Sequence, residues 1–104
     1  MLPIDAVEQV YEMKDREAVR SFLELNPHLL YLLLEGRVMV KRLFDAPPCE
    51  LELVGDAESG DLALEAKIAT TLTVRESLER LTKFDNTWWL GNQARARGQL
   101  VYVL

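Results

Sequence analysis

Few side chains in this sequence can do chemistry, and their spacing ties them to little else. There is one histidine, His28, and one cysteine, Cys49. His28 follows Pro27 at a predicted helix start, where the helix dipole disfavours the protonated imidazole. That setting would suit a base or an electrophile, yet no nucleophile or orienting carboxylate is tied to it, and packing at a helix end is the simpler role. Cys49 falls on the apolar side of a predicted strand, where a thiol is ordinarily inert filler. With this inventory only carboxylates remain as metal ligands, and no spacing resembles a zinc site. The loop Asp56-x-Glu58-x-Gly60-Asp61 resembles a calcium loop until its twelfth position, where Lys67 stands in place of a bidentate Glu. There is no Gly-rich phosphate loop and no nucleophile elbow. No catalytic, cofactor-binding or metal-binding residue is assigned, and the inventory leans against an enzyme.

Recognition chemistry is better represented. Both tryptophans lie in Phe84-Asp85-Asn86-Thr87-Trp88-Trp89-Leu90, followed by Asn92, Arg95 and Arg97. Trp and Arg dominate binding hot spots, so Trp89, Asn92, Arg95 and Arg97 form the candidate partner-binding set. A polar loop leading into a strand is the competing reading. Neighbours on a helix diverge by about 100°. Trp88, in phase with Leu81 and Phe84, is therefore expected to plug the core, while Trp89, in phase with Leu78 and Asp85, looks sideways. Arg37, Lys41 and Arg42 cluster on one helix, but Glu24, Glu35 and Asp45 are near and a solvated mixed-charge face accounts for them. The net charge of −5 argues against a polyanion ligand, so no nucleic acid is expected.

The elements that must position these residues follow from periodicity. Asp5 with Glu8 approximates a capping box, opening a helix in which Val7, Val10 and Tyr11 face inward. Asp15 marks a kink or break, after which Val19, Phe22 and Leu23 continue the apolar face. Asn26-Pro27 is an N-cap followed by a first-turn proline, and the helix it opens runs to about Phe44. Leu29, Leu33, Gly36, Val40 and Leu43 share one face, while Leu30, Tyr31, Leu32 and Leu34 make its start apolar nearly all round. Gly36 suggests close backbone approach. Ala46-Pro47-Pro48 ends the helical section. Cys49, Leu51 and Leu53 then alternate with Glu50 and Glu52, and Leu62, Leu64, Ala66 and Ile68 with Ala63, Glu65 and Lys67. These are two strands of a hairpin with one wet face. Thr73 with Glu76 is a capping box for a helix turning Leu78, Leu81 and Phe84 inward. Leu100 to Leu104 reads as a last strand.

The expected fold is one α+β domain over 1–104, a helical hairpin (1–46) followed by a β-β-α-β layer (47–104). Its sheet is three-stranded and mainly antiparallel, covered by helices on one face, with the last strand antiparallel beside the first. A lone cysteine, the absence of a signal peptide and the absence of an apolar run near the ~20 residues of a membrane span predict a cytoplasmic protein with no membrane association. Beyond these readings, Phe22-Leu23-Glu24-Leu25-Asn26-Pro27-His28-Leu29, Leu32-Leu33-Leu34-Glu35, Ser77-Leu78-Glu79-Arg80-Leu81, Phe84-Asp85-x-x-Trp88-Trp89-Leu90 and Arg95-Ala96-Arg97-Gly98 together resemble a group of small, poorly characterised bacterial α+β proteins. The paired-Trp block is the specific part; Gly36 and Asn86-Thr87 depart from the pattern. By analogy of type, small acidic proteins of this kind often partner another gene product, sometimes as antitoxins, and no binding residue carries over. The expected function is a non-enzymatic protein–protein interaction module, the acidic partner of another protein, with a homodimer through the Leu29–Leu34 helix as a further option. The alternative is a small enzyme or ligand-binding domain with a pocket near His28 and the tryptophans.

Overall fold

The computed structural model describes residues 2–55 and 57–104. Asp56, in the loop compared above with a calcium site, lies outside them. Helix α1 (Pro3–Val10) begins on its proline rather than on a side-chain cap, and buries Ile4 and Val7. Asp5, expected to cap it, instead meets Arg20 at 3.2 Å. The chain then straightens through Tyr11 into a short strand, β1 (Glu12–Lys14). Asp15, at a left-handed φ of 56°, turns the chain into α2 (Arg16–Leu25) and accepts the Ala18 N–H on its carboxylate at 3.4 Å. The single helix expected to break near Asp15 is thus two helices with a strand between them. As expected, α2 buries Val19, Phe22 and Leu23.

Helix α3 (His28–Leu43) closely follows its expected limits. Asn26 does not cap it with its side chain. Its Nδ2 donates backward to the Phe22 carbonyl at 2.9 Å, closing the end of α2. Strands β2 (Cys49–Gly55) and β3 (Leu62–Ile68) form the expected antiparallel hairpin. Helix α4 (Val74–Phe84) opens on the expected box: Thr73 Oγ1 accepts the Glu76 N–H at 3.2 Å and donates to the Glu76 carboxylate at 2.9 Å. Its inward side differs from the expectation, since Ser77 is buried while Leu78 is 52% exposed. The chain continues through a π-helical turn (Asp85–Trp89), a short α-helical turn (Leu90–Asn92) and a 3₁₀ turn (Gln93–Ala96) into β4 (Leu100–Val103).

The fold is α+β, but its sheet is four-stranded and mixed, in the order β1-β2-β3-β4. Strands β1 and β2 run parallel, as do β3 and β4, and only the central pair is antiparallel. This corrects both the expected strand number and the expected place of the last strand, which lies beside β3 and parallel to it. Parallel neighbours require long crossovers. Helices α2 and α3 provide one, and α4 with its continuation provides the other.

Register places Met13, Cys49, Leu51, Leu53, Leu64, Ala66, Ile68, Leu100 and Tyr102 on one face, where all belong to the core or pack against it. Helix α3 crosses that core. Its Leu29, Leu32 and Leu33 are wholly buried, Leu30 and Leu34 partly so, and between Leu29 and Leu34 only Tyr31 stays exposed. Apart from Tyr31, the apolar start of α3 belongs to the core or packs against it.

Gly36 of α3 faces the Tyr102 side chain of β4. A Cβ there would lie 2.7 Å from the Tyr102 Cζ, nearer still to its hydroxyl, and 3.1 Å from the Trp88 ring. Close approach was expected at Gly36, and it is made by aromatic side chains rather than backbone. Replacing Gly36 by Ala would gain helix propensity worth about 1 kcal/mol and lose more to the clash. Gly36→Ala is expected to destabilise the protein by about 1–3 kcal/mol in urea unfolding; unchanged or greater stability would contradict this account of the notch.

Candidate functional site

The aromatic block does not point outward. Phe84 is fully buried among Phe44, Trp88 and Tyr102, at ring separations of 6.4, 5.5 and 5.0 Å. The Leu90 N–H bonds to the Asp85 carbonyl five residues back. Such a π turn widens the helix, so residue i+5 comes round to the side of residue i and Trp89 follows Phe84 inward. Trp89 is only 8% exposed and stands edge-on to Tyr102 at 5.3 Å, while Trp88 is half-buried beside it at 5.8 Å. The expectation that Trp88 plugs the core and Trp89 looks aside is corrected: both rings pack inward, and Trp89 is the more deeply covered. The other predicted partner-binding residues are divided. Asn92 Nδ2 donates to the Trp88 carbonyl at 2.8 Å, and its Oδ1 accepts from Arg95 at 3.0 Å. Arg95 also forks onto Glu35 of α3 at 2.5 and 3.2 Å, which holds the Glu35 carboxyl below its ordinary range. Trp89 and Arg95 fasten the segment after α4 to β4 and α3, and Asn92 braces it internally. Arg97 is exposed, in a left-handed turn before β4.

His28 is also engaged. Asn26 uses its amide nitrogen on Phe22, so its oxygen accepts from Gln99 Nε2 at 2.9 Å. The Gln99 oxygen then accepts from His28 Nε2 at 2.7 Å. This relay ties the α2–α3 corner to the residue before β4 and sets the proton on Nε2. A groove of about 770 Å³ lies here, lined by Phe22, Asn26, His28, Arg97 and Gln99 among others. The tryptophans expected beside it do not line it.

Cys49 is buried in β2, and burial pushes its thiol up to about 12. Nearby, Tyr11 donates to the Leu33 carbonyl at 2.7 Å, and the Tyr102 hydroxyl lies 2.7 Å from that of Tyr11. Having one proton, Tyr11 spends it on Leu33, so Tyr102 donates to Tyr11. Burial raises both phenols well above their ordinary range, keeping them protonated donors.

The other face of the sheet carries Glu12, Lys14, Glu50, Glu52, Val54, Ala63, Glu65, Lys67, Val101 and Val103, and none of these is buried. Two rows cross it. Glu12, Glu50, Lys67 and Val103 lie abreast, as do Lys14, Glu52, Glu65 and Val101. Glu12 therefore stands directly opposite Glu50, and Glu52 opposite Glu65. Like charges in that relation destabilise a sheet. Lys14 relieves part of the second pair through a 2.9 Å contact with Glu52. The face as a whole keeps more carboxylates than ammonium groups. Its wet character was legible in the alternation of β2 and β3. Its width and its paired acids depend on β1 and on register, which periodicity does not supply.

Among the described residues no group of three His, Cys, Asp or Glu side chains could hold a metal ion, and no helix is long and apolar enough to cross a membrane. No protein-family model matches the sequence, and no curated protein or solved structure is significantly similar to it. The Cys49 environment makes a direct test of its chemistry. A thiol titrating at about 12 is almost wholly protonated at neutral pH, and only the thiolate attacks. A disulfide reagent should label the folded protein orders of magnitude more slowly than the urea-unfolded chain; equal rates would contradict the inert assignment.

Proposed function

We infer that this chain is a non-enzymatic interaction module that docks a cationic protein partner on its open sheet face. The observation carrying this reading is the pair of like-charged neighbours, Glu12 with Glu50 and Glu52 with Glu65, on a sheet face whose described side chains are all exposed or half-buried. Lys or Arg side chains brought between those acids would turn repulsion into attraction. The apolar margin of Val54, Ala63, Val101 and Val103 gives such a partner surface to bury. A second copy is a poor occupant, because stacking two such faces sets acid against acid. The net charge of −5 would also speed encounter with a cationic protein. In this reading the chain acts as the acidic half of a pair, in a reducing cytoplasm, and an antitoxin-like neutralising role is one form it can take. Trp89, Asn92 and Arg95 then support the fold rather than the partner, and Arg97 is the member of that set left at the surface.

Charge reversal on the face separates binding from folding. Glu12→Lys with Glu65→Lys removes both like-charge pairs and leaves Glu50 between Lys67 and the new lysine, so the free protein should be no less stable. Affinity purification from cells that naturally make the protein should return a stoichiometric partner, and the reversed variant should bind it about tenfold or more weakly. Absence of any stoichiometric partner, or unchanged affinity of the reversed variant, would overturn the proposal.

A further inference from the structure

The sheet has two outer strands, β1 and β4, and they are built differently. Strand β1 is three residues long and carries Glu12 and Lys14; shortness and charge are both devices by which an edge strand avoids pairing with another chain. Strand β4 has neither charge nor another such device. From Gly98 to Leu104 there is no charged side chain and no proline, and the register with β3 runs through β4 without a bulge. The alternation of β4 is also fixed. The Leu64 N–H donates to the Gln99 carbonyl at 2.8 Å, with Leu64 opposite Leu100. In a parallel ladder that bond turns the backbone groups of Val101 and Val103 toward β3, so the N–H and C=O of Leu100 and Tyr102 point to the outer side. No turn, loop or cap bond among the described residues takes them up. Beside them Val101 is 42% exposed.

We propose that a second copy of this chain adds to the sheet at β4, the two strands running antiparallel about a two-fold axis at Val101. That register sets Leu100 opposite Tyr102 of the second copy. The two residues then exchange both N–H···O=C bonds on either side of the axis, and the outward groups of both copies are used. Val101 meets its own counterpart at the non-hydrogen-bonded position, where side chains lie closest. A second copy is the occupant because this edge matches itself in a two-fold pairing, and without charge it gives a cationic or acidic foreign strand nothing to select. The guarded β1 edge stops further growth of the sheet, so the assembly closes as a dimer. Edge pairing sets the copies side by side and stacks no acidic faces, so the docking proposed above stands or falls separately. Leu100 and Tyr102 are already buried within one chain. Pairing therefore adds little apolar area, and the association is weak, with a dissociation constant on the order of 0.1 mM.

The test is sedimentation equilibrium of the purified protein from about 10 μM to 1 mM, a span that brackets the expected constant. Monomer should give way to dimer, and to nothing larger, as concentration rises. At the upper concentration, a mixture of isotope-labelled and unlabelled protein should show, in isotope-filtered NMR, a contact between the Val101 Hα of one copy and that of the other. Val101→Lys places two lysines across the axis while each faces Glu65 in its own chain, so the fold is kept and dimerisation should weaken about fivefold or more. Tyr31→Lys, at the exposed position in the apolar start of α3, should dimerise like the parent. A protein still monomeric at the upper concentration, assemblies larger than a dimer, undiminished dimerisation of Val101→Lys, or a dimer lost on Tyr31→Lys would each overturn the proposal. Should Val101→Lys not fold, the parent protein decides: a dimer without the Val101 contact between copies refutes it.

Discussion

The Tyr102 hydroxyl is the point on which the fold closes. It projects from β4 into the notch over Gly36 on α3 and donates to Tyr11, which in turn donates to the Leu33 carbonyl. Three segments far apart in sequence meet through these two bonds: the end of α1, the middle of α3 and the last strand. Buried hydroxyls are costly unless paired, so the arrangement is all-or-none. A Tyr102 without Tyr11 would carry an unsatisfied phenol into the core, and an α3 with any side chain at position 36 would keep Tyr102 out. The same ring receives Phe84, Trp88 and Trp89 at separations of 5.0 to 6.2 Å. The π turn after α4 therefore serves the same centre, since an unbroken α-helix would carry Trp89 round to the side.

Much of this architecture could be read from the chain beforehand. Helices α2, α3 and α4, the hairpin of β2 and β3, and the last strand all carry strong signals, because each has several apolar residues at the right period or a capping residue at its start. Strand β1 does not. Glu12-Met13-Lys14 offers one inward side chain, too little to establish a period of two against the helical pattern on either side. Missing β1 hides a parallel pairing, and with it the width of the open face. The two tryptophans show a different limit. Phase arguments assume an unbroken α-helix, and one π turn shifts every residue beyond it. The relay Asn26–Gln99–His28 and the Arg95–Glu35 pair span 73, 71 and 60 residues, so nothing local announces them.

The one-sided core and the open face are two consequences of one alternation. Side chains pointing to the helices are consumed by the Tyr102 centre and its surroundings, which leaves Glu12, Glu50, Glu52 and Glu65 on the opposite side, none of them buried. Of the candidate set chosen from residue type alone, Trp89, Asn92 and Arg95 are engaged within the chain, because Trp and Arg are also good structural residues. Here Arg95 binds Glu35 and Trp89 packs on Tyr102. Residue type marks chemical capacity, and burial decides whether that capacity is already spent.

A double-mutant cycle on the two tyrosines reaches the centre most directly. Tyr102→Phe deletes a donor and is expected to cost about 0.5–1.5 kcal/mol. Tyr11→Phe strands both the Leu33 carbonyl and the Tyr102 hydroxyl, and should cost about 1–3 kcal/mol. The double variant should cost less than the sum of the two, because removing Tyr102's hydroxyl relieves part of the loss at Tyr11. Two small, strictly additive losses in urea unfolding would contradict the claim that this hydroxyl chain closes the fold.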